Sequence, residues 1–162
     1  MKPFGFLILS FFFAIRALGQ DYSDSGFTFK HKAEAKNQMV NGVKEGKWCE
    51  YFKRDTNQTP KSLSDYGFRL TIYKNGKPVG IQREYGNQCK EIPYANGKIN
   101  GIVKTYFGTG KIRSETPYTD GIINGVERIY YEYSEKLKQE TTYTNGIKGV
   151  TRNYSENGKE IK

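Results

Sequence analysis

Two cysteines, one histidine, one tryptophan and five prolines are spread over 162 residues. So few cysteines exclude a disulfide-stapled scaffold. The single histidine, His31 in a Lys-His-Lys run, leaves no set of ligands at zinc spacing. No phosphate-cradling glycine loop and no nucleophile elbow occur. The chain carries no cofactor motif, and an enzyme is not expected. Beyond residue 15 no apolar run approaches the roughly 20 residues needed to cross a bilayer. Acid is the minority charge, 17 Asp and Glu against 26 Lys and Arg, giving a formal +9. What abounds is Tyr 13, Phe 10 and Gly 18. A disordered chain would not hold so many aromatics, and aromatic residues punctuated by glycine favour strands and tight turns.

Residues 1–19 read as a secretory signal peptide. Lys2 gives a basic start, residues 4–15 carry no charge, and Ala17-Leu18-Gly19 is a small-residue site before Gln20. The expected address is secreted or periplasmic. Losing Lys2 and Arg16 leaves a basic chain, 24 − 17 = +7. An oxidising compartment permits a disulfide between Cys49 and Cys89, but their spacing does not decide whether one forms.

A repeat governs residues 39–162. Tyr73-Lys74-Asn75-Gly76 recurs as Tyr94-Ala95-Asn96-Gly97, Tyr118-Thr119-Asp120-Gly121 and Tyr143-Thr144-Asn145-Gly146. A second glycine follows each, at Gly80, Gly101, Gly125 and Gly149, and five residues later comes Tyr85, Tyr106, Tyr130 or Tyr154. Asn41-Gly42, Gly46 and Tyr51 form an earlier copy, separated from the next by a polar insertion near 53–66. The last copy is one residue short between its glycines, and Ser134-Glu135-Lys136 replaces an expected Gly-Lys turn. Asn-Gly and Asp-Gly supply the positive φ of hairpin turns, so each copy predicts two short strands. Columns one, three and five after the second glycine share a face. Single copies are too small to bury that face, and stacked copies are expected to bury it jointly. Residues 20–38 precede the repeats as a mobile segment or, at 27–30, a capping strand over an exposed edge.

This pattern resembles the membrane occupation and recognition nexus (MORN) repeat, in the bacterial variant of YwqK-type antitoxins. Gly46-Lys47-Trp48, residues 94–101 and residues 106–112 carry the resemblance. It implies an all-β repeat architecture, stacked antiparallel hairpins in one elongated twisted sheet of ten strands. It also implies a protein partner, a toxin, and the address would then suit an immunity-like role outside the cytoplasm.

The third column holds Cys49, Arg83, Lys104, Arg128 and Arg152, beside the tyrosine column of Tyr85, Tyr106 and Tyr130. A rigid basic row could receive an acidic partner, with tyrosine stacked on guanidinium. The competing reading is a cross-strand charge ladder using Glu91, Glu115 and Glu140. Trp48 and Phe52 on the opposite face form either an exposed partner site or a patch buried under the insertion or the N-terminal segment. The expected function is an exported, non-enzymatic interaction scaffold. The alternative is attachment to an anionic envelope surface, lipid headgroups or acidic glycan. Nucleic acid is not an expected partner, because of export and because the basic residues are spread out.

Overall fold

The computed structural model describes residues 32–54 and 66–161. The expected signal peptide over 1–19, the expected capping strand at 27–30 and His31 fall outside the described residues, as does most of the insertion. Its flanks are fixed, since Lys53 pairs with Tyr66 across a hairpin.

Among the described residues thirteen strands follow a 3-10 turn, Lys32–Glu34. They are β1 Gln38–Val40, β2 Val43–Lys53, β3 Tyr66–Lys74, β4 Lys77–Tyr85, β5 Cys89–Ala95, β6 Lys98–Ile99, β7 Gly101–Tyr106, β8 Ile112–Thr119, β9 Ile122–Ile123, β10 Gly125–Tyr130, β11 Leu137–Thr144, β12 Ile147–Tyr154 and β13 Glu160–Ile161. All pair antiparallel in one open sheet, ordered β1-β2-β3-β4-β5-β7-β8-β10-β11-β12-β13, with β6 on β5 and β9 on β8. The chain is thus all-β, as its periodicity implies. The count exceeds ten because two strands are interrupted at Asn100 and Asn124, and because Glu160–Ile161 adds a short edge strand.

Five tight turns build the hairpins. Asn41, Asn75, Asn96, Asp120 and Asn145 have φ of 48–52°, and the glycine after each is also positive. Two successive positive φ values define a type I′ turn, which matches the strands' own twist. The turn glycines also stitch neighbouring repeats together. The amides of Gly76, Gly97, Gly121 and Gly146 donate to the carbonyls of Lys44, Pro78, Ile99 and Ile123 in the preceding hairpin. In the shortened last copy Gly149 loses the positive φ of the other second glycines, and β12 runs on unbroken. Glu135 takes the left-handed position (φ 56°) where the expected Gly-Lys turn is missing.

The sheet is a single layer, and this corrects the expectation of a jointly buried face. Among the described residues only Leu70 and Ile72 are buried apolar side chains. They lie on the face of the basic column, near its N-terminal end, packed by Ala35, Cys49, Phe68, Val79 and Tyr85. The 3-10 turn closes over that spot, with Lys32 above the Phe68 ring at 3.8 Å and Glu34 paired to Lys47. Asn37 caps the β2 edge by accepting from the Cys49 amide at 2.8 Å. Further along the same face no second layer follows among the described residues, and Ile81, Ile102 and Val150 are 37%, 49% and 61% exposed. No described helix is long and apolar enough to cross a membrane.

Candidate functional site

Strand register decides which side chains meet. Arg83 stands opposite Glu91, Glu91 opposite Lys104, and Lys104 opposite Glu115. Glu115 then faces Arg128, Arg128 faces Glu140, and Glu140 faces Arg152. The result is one continuous row of alternating sign across seven strands. Each glutamate is an odd number of residues from its hinge tyrosine, so alternation sends the two to opposite faces. That parity brings the glutamates onto the face of the cations and leaves Tyr73, Tyr94, Tyr118 and Tyr143 on the other.

The row is bonded as well as aligned. Arg83 reaches Glu91 at 2.9 Å, Lys104 reaches Glu115 at 3.6 Å, and Arg152 reaches Glu140 at 3.1 Å. The tyrosine column closes the second oxygen of two glutamates: Tyr106 donates to Glu91 and Tyr130 to Glu115, both at 2.8 Å. Tyr154 donates to Glu140 at 2.9 Å. Tyr85 has no glutamate in the equivalent place and stacks on Phe68 instead, with ring centroids 4.7 Å apart. The phenols of Tyr106, Tyr130 and Tyr154 are harder to ionise than usual. Tyr106 is pushed up to about 12, by burial first and then by its bond to Glu91. Tyr130 rises for the same reasons, with Glu115 as its partner. The bonds from Tyr154 and then Arg152 hold the Glu140 carboxyl below its ordinary range.

The phenol shifts carry a pH consequence. Unfolded tyrosine ionises near 10, whereas folded Tyr106 keeps its proton to about 12. Its contribution to stability is therefore whole below pH 10 and is lost as pH rises towards 12. Tyr106→Phe should cost about 1–2 kcal/mol at pH 8, and its deficit against wild type should shrink between pH 10 and 12. Urea unfolding across that range checks this. A pH-independent deficit would detach Tyr106 from the row.

Arg128 departs from the pattern. It is exposed, and among the described residues it makes no ion pair within 4 Å. Beside it opens a groove of about 190 Å³ lined by Ile102, Glu115, Pro117, Gly125, Val126 and Arg128. Its floor belongs to an apolar row in which Ile81 faces Pro93 and Ile102 faces Pro117. Gly125 sits at φ 121°, and a Cβ there would lie 2.9 Å from Pro117 Cγ. Glycine therefore keeps the strand close over the proline ring.

Of the sequence-predicted residues, Arg83, Lys104, Arg152, Tyr106 and Tyr130 are engaged within the row, Tyr85 is stacked, and Arg128 borders the groove. Trp48 lies on the opposite face, half-buried. Its indole donates to the Glu45 carbonyl at 3.0 Å and meets Tyr73 edge-on at 6.2 Å. Lys44 lies over both rings and pairs with Glu50. Phe52 packs over Gly67 and Gly86. Both aromatics are therefore held by the sheet's own residues, and the N-terminal turn covers the other face. Sequence reasoning missed Pro117 and the groove, although a proline recurs before two hinge tyrosines, at Pro93-Tyr94 and Pro117-Tyr118. Cys49 and Cys89 are free thiols on strands β2 and β5. Among the described residues no group of three or more His, Cys, Asp or Glu could hold a metal ion.

Comparison with protein-family models, curated proteins and solved structures finds no match.

Proposed function

We propose that this chain is an exported, non-enzymatic scaffold of MORN-like hairpin repeats that binds a partner protein on the face of the charge row, in the manner of an antitoxin or immunity protein. One observation supports it above the others: Arg128, which among the described residues makes no ion pair within 4 Å, lies beside exposed Ile102, half-buried Val126 and the ring of Pro117. An apolar floor with the Arg128 guanidinium at its rim suits a partner segment that offers an apolar side chain and a carboxylate. Three of the four column cations already pair with glutamate. That weakens the alternative, attachment to an anionic lipid or glycan surface, which needs unneutralised charge.

The test is recovery of partners from an envelope extract at low and high salt, with wild type against Ile102→Asp and Arg128→Ser together. A partner held by an apolar groove should survive 1 M salt, where the Debye length is about 3 Å, and should fall about tenfold or more in the double variant. Equal recovery by wild type and variant would reject the groove. Capture lost entirely at high salt would favour the anionic surface.

A further inference from the structure

An apolar stripe crosses the middle of the sheet at right angles to its strands. Ile81 on β4, Ile102 on β7 and Val126 on β10 hold the same place in three successive repeats. Pro93 on β5 stands opposite Ile81, and Pro117 on β8 stands opposite Ile102. Strands β4, β5, β7, β8 and β10 are consecutive neighbours, so aliphatic residue and proline alternate strand by strand. Ile81 and Ile102 are exposed, whereas Pro93, Pro117 and Val126 are half-buried. A Cβ on Gly101 would lie 3.0 Å from Pro93 Cγ, much as one on Gly125 would lie 2.9 Å from Pro117 Cγ. The groove around Pro117 thus has a counterpart around Pro93, one repeat earlier.

Three properties of the stripe select its occupant. The first is period. The aliphatic residues recur every second strand, about 9.6 Å apart at the usual strand spacing. A polyproline II helix advances about 9.3 Å in each three-residue turn, so every third side chain keeps step with the stripe. Seven residues of α-helix cover about 10.5 Å, which is about 2 Å out of step by the second repeat. A β-strand repeats its side chains at about 6.7 Å and does not match. The second property is backbone chemistry. Strands β5, β7 and β8 have neighbours on both sides. Their amides and carbonyls point along the sheet to those neighbours, so a segment laid across the face has no ladder to join. A polyproline II backbone stays solvated, and proline has no N–H to leave unpaired. The third property is width and charge. The stripe is one side chain wide, and an α-helix, about 10–12 Å across, would also cover the charge row beside it. On that flank Arg128 is exposed and, among the described residues, makes no ion pair within 4 Å.

We infer that the partner segment is a proline-rich polyproline II helix lying across the strands, with an apolar residue at every third position and a carboxylate on Arg128. This occupant rests on the partner-binding reading above and gives that partner its chemistry. The conformation of such a segment is set before binding, so little entropy is lost when it docks.

The probe is a capped peptide of three Leu-Pro-Asp triplets, titrated into isotope-labelled protein. Saturable amide shifts should appear around Ile81, Ile102 and Val126 together. A peptide of the same composition and charge, rearranged to Leu-Pro-Asp-Pro-Leu-Asp-Pro-Asp-Leu, should bind about tenfold more weakly. Both peptides are compared on the wild-type protein, so the result does not depend on a variant folding. Ile81→Asp lies outside the groove around Arg128 and should still weaken the triplet peptide about tenfold. Replacing the aspartates by asparagine should weaken binding to wild type and make no difference to Arg128→Ser. Absence of a saturable shift, equal binding of the two peptides, or shifts confined to one repeat would overturn the inference. If Ile102→Asp with Arg128→Ser still loses its partner from envelope extract, the groove keeps its role and only the proline-rich occupant falls. Unchanged recovery there would instead sink the partner-binding reading itself.

Discussion

Leu70→Ala is expected to destabilise the protein by about 2–5 kcal/mol, and to do so unevenly along the sheet. Leu70 and Ile72 are each 1% exposed and are the only buried apolar side chains among the described residues. Truncation would leave a void under Ala35 and beside Phe68 and Tyr85, where the 3-10 turn closes over the sheet. A single-layer repeat sheet passes stability only from neighbour to neighbour. Amides of β2, β3 and β4 should therefore lose exchange protection first, while those of β8, β10 and β11 keep theirs. Urea unfolding followed by hydrogen exchange checks both parts. A loss under 0.5 kcal/mol, the size of an ordinary surface change, or a uniform loss of protection would show that the N-terminal core is not the anchor described above.

The hairpins were legible in the sequence because their chemistry is local. Asn-Gly and Asp-Gly fix positive φ whatever surrounds them, and all five such turns form. The partner of each glutamate was not legible. Parity assigns a residue to a face of its own strand, but which residue stands opposite depends on bulges. The chain places them where the register shifts beside Thr71, Thr105, Ile129 and Thr142. Lys104 against Glu115 follows only once those are known. Burial was also overestimated. The alternating columns predict a half-buried face, and nothing in them reveals whether a second layer arrives to complete it. The groove escaped notice because it needs three strands at once: Ile102 from β7, Pro117 from β8 and Val126 from β10.

Glu115→Lys is the second large expected effect. Glu115 pairs with Lys104 at 3.6 Å, faces Arg128 in register, and accepts from Tyr130 at 2.8 Å. A lysine there strands the Tyr130 hydroxyl and sets a cation between two others. Losing a hydrogen bond to a charged group costs about 1.5–3 kcal/mol, and each cross-strand charge pair contributes about 0.2–1 kcal/mol. The sum is about 2–5 kcal/mol. Glu156→Lys, in an exposed turn, should stay within about 0.5 kcal/mol.

The sign of one further substitution probes the alternating row most directly. In the natural chain Lys104→Ala removes a favourable partner of Glu115 and should lower stability. In the Glu115→Lys background the same change removes a repulsion and should raise it. Urea unfolding of the four proteins at low salt measures both, and the predicted result is that inversion. Lys104→Ala acting in the same direction in both backgrounds would mean the two side chains are not cross-strand neighbours, and would contradict the account.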